Sequence, residues 1–294
     1  MSVFADNFTR LKEHLTRLNK IRTGLWHEAA LFSDLDFPTP DEIAGIYDEI
    51  CGNNDSKPYL PDFAEFSTVF SQVYRGRFGE VFSDTDGDPG ILPPKIAYLQ
   101  NSFSDKAYRN FENYFSRQNS RGQVTAAYFP GFREVCEEVY YGRCSHAMLP
   151  ISSSRDGILS SFRKLIEKYE LKIVLETDVD MGDDTGMRFA LLRRGLNLTS
   201  PRNFCDLTVV LTSEFTIGAF LSACEIIGAS AVSINSYPLE YADDRCGIQI
   251  TLDISRSDPE TLYLFLEGSH ISYEVIGMYD LLLSHKSAQN HSNI

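Results

Sequence analysis

Three consecutive serines, Ser152, Ser153 and Ser154, stand ahead of Arg155 and of a helical pattern made by Ile158, Leu159, Phe162, Leu165, Ile166 and Tyr169. Hydroxyls at the positive end of a helix can cap its free N–H groups or help cradle an anion there, and the residues leave both readings open. The alternating Asp84, Asp86 and Asp88 suggest a calcium loop. Such a loop needs glycine at its sixth position and a bidentate acid at its twelfth. Here Gly87 falls at the fourth and Lys95 at the twelfth, so Ser83–Gly90 reads as a solvated linker. His146 is the one histidine inside a strand pattern and reads as packed or capped, not as a base. The six cysteines, Cys51, Cys136, Cys144, Cys205, Cys224 and Cys246, show no Cys-x-x-Cys spacing and read as reduced, mostly buried thiols. No phosphate-binding glycine loop and no histidine-carboxylate ligand spacing occurs, so neither a metal nor any other cofactor is expected.

A chain of 294 residues with 43% hydrophobic and 23% charged residues is long enough for two or three domains. Its net charge of −14 argues against a nucleic-acid or anionic-membrane binder, because either needs a basic footprint. No run approaches the roughly 20 apolar residues of a membrane helix. The first ten residues carry Asp6 and no signal-like apolar stretch, so a cytoplasmic protein is expected.

Three segments must position whatever site exists. Over 1–82 the pattern is helical: Phe4, Phe8, Leu11, Leu15, Leu18, Ile21 and Leu25 step by three and four and lay one apolar stripe along a helix. Thr39-Pro40-Asp41-Glu42 reads as a helix start, and Pro61 to Phe82 supplies a third helix. After a linker over 83–94, strand and helix signals alternate from 95 to 198. The strands expected there, Lys95–Leu99, Val124–Tyr128, His146–Pro150, Lys172–Leu175 and Met187–Leu192, imply an α/β layer with a largely parallel sheet. The segment 205–282 reads strand, helix, strand, strand, helix, strand, the ferredoxin-like order. A Ser-, His- and Asn-rich tail, 283–294, is expected to be disordered.

The middle segment resembles the prephenate dehydratase family. Ile96 to Ser104 is similar to that family's opening strand and glycine-rich turn, though shorter and without the glycines. Phe132-Arg133-Glu134-Val135 with the later Gly142 resembles its Phe-x-x-Val helix. Ser145 to Gly157 stands where the family has Pro-Ile-Glu-Asn-Ser, and Gly186-Met187-Arg188-Phe189 where it has Thr-Thr-Arg-Phe. The C-terminal segment resembles a phenylalanine-regulated ACT domain: Ile217-Gly218-Ala219-Phe220 is similar to its Gly-Ala-Leu turn, and Asn235-Ser236-Tyr237-Pro238 lies where it has Glu-Ser-Arg-Pro. The N-terminal helices resemble, in architecture alone, the three-helix chorismate mutase module of bifunctional enzymes. The resemblance therefore implies an α/β and α+β multidomain chain: a chorismate-mutase-like module, a single dehydratase-like lobe and a ferredoxin-like ACT domain.

The resemblance implies chemistry that the residues then qualify. Dehydration of prephenate needs a dianion held in a closed cleft and a proton for the departing hydroxyl. The family inserts a second lobe before its Thr-Arg-Phe strand, whereas only Asp180 to Met187 separates the strands here, enough for a hairpin. Met187 occupies the place of the catalytic threonine, and a thioether relays no proton. Thr185, two residues earlier, is displaced by roughly 6–7 Å along a strand. A substrate-like pocket is expected around Ser152, Ser153, Ser154, Thr185, Arg188 and Phe189. For the mutase, residues 34–90 set thirteen acids against Lys57, Arg75 and Arg77, which repels a dicarboxylate. The expected function is a degenerate, non-catalytic dehydratase-like protein of phenylalanine metabolism. By resemblance it binds an aromatic amino acid such as phenylalanine at Ile217, Gly218, Ala219, Phe220, Asn235, Ser236, Tyr237 and Pro238, and forms a homodimer through its ACT domains. The alternative is an active chorismate mutase or prephenate dehydratase with relocated catalytic residues.

Overall fold

The computed structural model describes residues 14, 16–18, 20–30, 39–51, 59–74, 93–118, 123–180, 182, 185–196, 202–211, 216–238 and 246–282. The aspartate-rich linker 83–90, the tail 283–294 and the Phe4, Phe8, Leu11 and Leu15 part of the N-terminal stripe lie outside the described residues. Among the described residues three helices come first, α1 (20–30), α2 (Pro40–Cys51) and α3 (Leu60–Val73). The start of α2 is a capping box: the Thr39 N–H donates to Glu42 at 2.8 Å, and the Glu42 N–H donates back to the Thr39 hydroxyl at 3.3 Å.

The middle of the chain then runs β1 (Lys95–Tyr98), α4 (Ser102–Arg117), β2 (Thr125–Tyr128), α5 (Phe132–Tyr140), β3 (His146–Ser153), β4 (Gly157–Ile158), α6 (Ser160–Lys168), β5 (Leu171–Asp180) and β6 (Gly186–Arg194). It continues with β7 (Phe204–Leu211), α7 (Ile217–Ile226), β8 (Ser230–Pro238), β9 (Cys246–Asp253), α8 (Pro259–Gly268) and β10 (Ser272–Leu282). Every strand and helix expected between 95 and 280 is present, most with shifted ends, and β4 is additional. The ten strands among the described residues belong to one sheet, in the order β2-β1-β3-β6-β5-β10-β7-β9-β8, with β4 folded onto β3. The molecule is thus mixed α/β with a large mixed sheet. The largely parallel sheet expected over 95–198 is corrected: β1 runs parallel to β2 and β3, but β6 is antiparallel to both β3 and β5. The chain between Asp180 and Gly186 is too short to cross over, so β5 and β6 can only form a hairpin.

The joint of the sheet is β10, which pairs parallel with β5 on one side and antiparallel with β7 on the other. Both registers slip there, next to Gly277. Its alternating residues feed two cores. Ile276 and Tyr279 join the cluster under α5 and α6, while Val275 and Met278 join the cluster under α7 and α8. The helix α4 closes a third cluster with Phe111, Ile96 and Phe189. The helices α1–α3 share one core with α7 and α8, through Trp26, Tyr47, Phe63, Phe66 and Phe70. At Gly268 on α8 an added Cβ would stand 2.6 Å from the Phe63 ring, so this helix approaches α3 closely. The described part of the N-terminal stripe is not the buried face: Leu18, Ile21 and Leu25 are exposed, and Trp26 and Ala30 are turned inward. No helix among the described residues is long and apolar enough to cross a membrane.

A Cβ at position 277 would lie 2.5 to 2.8 Å from the Cβ, carbonyl oxygen and amide nitrogen of Ile173. Gly277→Ala must therefore push β10 away from β5, and is expected to cost about 1–3 kcal/mol, read by urea denaturation. An unchanged midpoint would show that the strands are not packed this closely.

Candidate functional site

Sheet register aligns a polar row across the molecule. On β3, β6 and β5, Ser152 pairs with Arg188 and Arg188 with Asp178; on β7, β9 and β8, Asp206 pairs with Thr251 and Thr251 with Ser233. Glu176 lies two residues before Asp178, on the same face by strand alternation. A cavity of about 230 Å³ opens over this row, between β4 and α6 on one side and β8 and β9 on the other. Its polar lining includes Arg163, Glu176, Arg188, Asp206 and Tyr279, and its apolar walls include Ile151, Ile158, Leu159, Ile166, Ile173 and Ile276. The helix cover ends here: α6 reaches the cavity edge, and no described helix lies over Gln249, Thr251 and the exposed Val232 and Ile234 beyond it. A larger groove of about 870 Å³ lies between α1 and α3, lined by Lys20, His27 and Gln72 among others. It is more open, and the described residues of its lining include no carboxylate, so the smaller cavity is the chemically specific one.

The charges in the cavity are arranged in opposed pairs. Arg188 is gripped by Asp178, with Nε donating at 2.7 Å and Nη2 at 3.0 Å, and its Nη1 stands 3.5 Å from Glu176. Burial pushes the Glu176 carboxyl up to about 8; the neighbouring Asp206 adds to the rise and Arg188 opposes it. Burial likewise raises Asp206, against hydrogen bonds from Thr251 and Tyr279, whose hydroxyl donates to it at 3.1 Å. Arg163 spends its Nε on Glu167 at 3.3 Å, while its Nη2 is buried without a hydrogen-bond partner. An unpaired buried donor costs about 1–3 kcal/mol, more when charged. The arrangement can therefore accept a carboxylate at Arg163 and a cation at Glu176 and Asp206. Among the described residues, no group of three or more His, Cys, Asp or Glu is placed to hold a metal ion.

The site residues expected from sequence divide. Ser152 and Arg188 line the cavity together. Ser153 is spent locally, donating to Asp156 at 3.0 Å and accepting from its N–H at 2.9 Å, and Ser154 accepts from the Gly186 N–H at 2.9 Å. The expected helix near Arg155 is corrected: residues 154–156 are a turn into β4, and α6 begins only at Ser160, so the serines do not form a helix-end anion cradle. Phe189 is buried on the opposite face under α4, and Thr185 precedes β6 without lining the cavity. Gly218 lies at the start of α7, with open space where a Cβ would be. Register places the end of β7 and the 235–238 stretch of β8 at the same end of the sheet, on either side of β9. The side chains of Tyr237 and Pro238 lie outside the described residues. Sequence reasoning missed Arg163, Glu176, Asp206 and Tyr279. The one available signal was that Glu176 and Asp206 interrupt strand patterns otherwise rich in apolar residues. His146 is packed, as expected; its ring lies 5.5 Å from that of Phe115, and burial lowers it to about 3.

No protein-family model matches the sequence, and no curated protein matches it. Among solved structures the chain is similar to a prephenate dehydratase from Streptococcus mutans, with 18% identity and a TM-score of 0.48 over 65% of this chain and 100% of that one. It is also similar to a prephenate dehydratase from Arthrobacter aurescens solved in complex with L-Phe, with 14% identity and a TM-score of 0.46 over 67% and 97% of the two chains. A third is the quorum-quenching acylase GqqA, with 21% identity and a TM-score of 0.44 over 63% and 94%. At these identities the likeness does not extend to activity, and the named activities themselves differ.

Titration of the buried carboxyl has a measurable consequence. Folded Glu176 keeps its proton up to about pH 8, against an ordinary value of 4.5, so the unfolded chain binds fewer protons and stability falls as pH rises through that window. His146 acts oppositely, but only between about 3 and its ordinary 6.5. The melting temperature is therefore expected to fall from pH 6.5 to 8, and Glu176→Gln to flatten that slope. A slope unchanged in the variant would remove Glu176 as its source.

Proposed function

We propose that the chain is a dehydratase-like protein of aromatic amino acid metabolism that binds an aromatic amino acid and does not transform it. The observation that carries this reading is the charge pattern around Arg188. The motif arginine is already held in a fork by Asp178 and flanked by Glu176 and Asp206, an arrangement that leaves it no spare charge for a dicarboxylate. It suits a ligand with one carboxylate and one ammonium. The short connection from Asp180 to Gly186 supports the same conclusion, because it leaves no length for an opposing lobe. In the N-terminal helices, Arg22 is bound by Asp62 at 2.7 Å and Glu65 at 2.6 Å, which leaves it poorly suited to a mutase substrate.

The C-terminal half serves in this reading as the ACT-like part, with the turn Ile217–Phe220 and the strand end Asn235–Pro238, where the resemblance puts an amino acid, as the alternative place to the cavity. Because β10 is already paired with β5, the free edge for joining two such halves is β8. Its residues Ser230 to Pro238 carry no charge, and Val232 and Ile234 are exposed.

Three outcomes are expected. Prephenate and chorismate, followed by ultraviolet absorbance, give no turnover above background; clear phenylpyruvate formation would establish the alternative of an active enzyme with relocated residues. Phenylalanine, tyrosine or tryptophan raises the melting temperature. A ligand at about a hundred times its Kd adds about 2.7 kcal/mol, worth roughly 2–4 °C per kcal/mol in a chain of this size. A Val232→Lys/Ile234→Lys double variant is monomeric by light scattering where the wild type is dimeric, and equal masses would exclude β8 as the pairing edge.

A further inference from the structure

We infer that the amino acid lies inside the Arg163 cavity as a zwitterion, its carboxylate on the Arg163 guanidinium and its ammonium against Glu176 and Asp206. This rests on the amino-acid-binding reading above and adds the place, the ionic form and the orientation of the ligand.

Three features of the cavity converge on this class. Arg163 lines the cavity, and its Nη2 has neither a hydrogen-bond partner nor contact with solvent, so a small shift of the side chain is needed to bring it to a carboxylate, the group that matches it with charge-assisted hydrogen bonds. Glu176 and Asp206 are both buried, and Asp206 is close enough for Arg163 and Arg188 to lower its proton affinity. A ligand cation would take over from the Glu176 proton in neutralising this pair. A simple amine would leave Arg163 unpaired, and a simple acid would bring no cation to the carboxyls. The remaining wall is aliphatic, from Ile151, Ile158, Leu159, Ile166, Ile173 and Ile276. The volume of about 230 Å³ is below the roughly 300–1,000 Å³ of drug-sized sites, which favours one amino acid over a peptide or nucleotide.

Orientation brings proton linkage with it. The groups facing Glu176 are Asp178 on its own strand, Arg188 on β6, Asp206 on β7, Tyr279 on β10 and Arg163 on α6. Near neutral pH the carboxyl holds a proton, and an ammonium placed against it favours the ionised form. Binding therefore releases a proton, and affinity rises from pH 6 to 8.

Isothermal titration of the full chain with L-phenylalanine, 3-phenylpropionate and phenethylamine tests this, in wild type and in the Arg163→Met and Glu176→Gln variants. Each analogue, and each variant with L-phenylalanine, is expected to bind roughly tenfold or more weakly. Titration at pH 7 in two buffers of different ionisation enthalpy is expected to report release of about one proton by wild type and none by Glu176→Gln. The analogues keep the test valid should a variant fold poorly. If wild type binds L-phenylalanine but the variants bind equally well, or the analogues match it, the placement is wrong while the binding reading stands. Loss of binding on Gly218→Ala instead, whose added Cβ meets nothing within 4 Å in the fold, would move the ligand to the glycine turn. No binding of any of the three aromatic amino acids to wild type would overturn the reading itself.

Discussion

The close contact of β10 with β5 is the constraint on which the rest of the structure depends. Ile173 and Gly277 face each other with no room for a side chain on the glycine, and the registers on both sides of β10 slip around that point. A glycine is needed because any Cβ would meet backbone atoms, which cannot rotate aside as a side chain would. The contact merges two half-sheets of different character. One half has helices on both faces. The other is antiparallel, with its helices on one side, and its opposite face carries polar residues such as Thr208, Gln249 and Thr251. The cavity lies at that change of cover, where α6 stops and the polar face begins.

Electrostatics follows from the same geometry. Glu176 and Asp206 belong to strands on opposite sides of β10, and the joint brings them within each other's influence. Buried like charges disfavour ionisation, so protonation and arginine neighbours make the pair tolerable. Arg188 is the neighbour already engaged, by Asp178 directly across the hairpin, while Arg163, paired to Glu167 through Nε, keeps its buried Nη2 without a partner.

The helices α1–α3 are bound into the molecule by aromatic packing on α7 and α8. Phe63 sits 6.3 Å from Phe265, and Tyr47 packs edge-on against both Phe63 and Phe66. This makes the described parts of α1–α3 part of the scaffold that supports the back of the C-terminal half, while the cavity lies on the sheet's other face. The described part of the apolar stripe read from the sequence is not the packed face: Trp26, with Arg22 over its ring at 5.0 Å, is on the packed side of α1, and Leu18, Ile21 and Leu25 are outside.

By itself, the sequence determined the elements. Alternating and helical periodicities located the strands and helices from 95 to 280, the Thr39–Glu42 capping box opened α2, and the seven residues from Asp180 to Gly186 allowed nothing beyond a hairpin. These are local properties, decided by residue type and spacing along the chain. Of the site, Ser152 and Arg188 were legible because they lie in a recognisable motif. Only the tertiary structure decided that Ser153 and Ser154 are consumed by a turn, that Phe189 points to the other face, and that Arg163, Glu176, Asp206 and Tyr279 converge. Those four come from α6, β5, β7 and β10, and periodicity carries no information about which strand lies beside which. Strand order is decided by long-range packing, above all by a glycine at 277 that lets β10 close against β5.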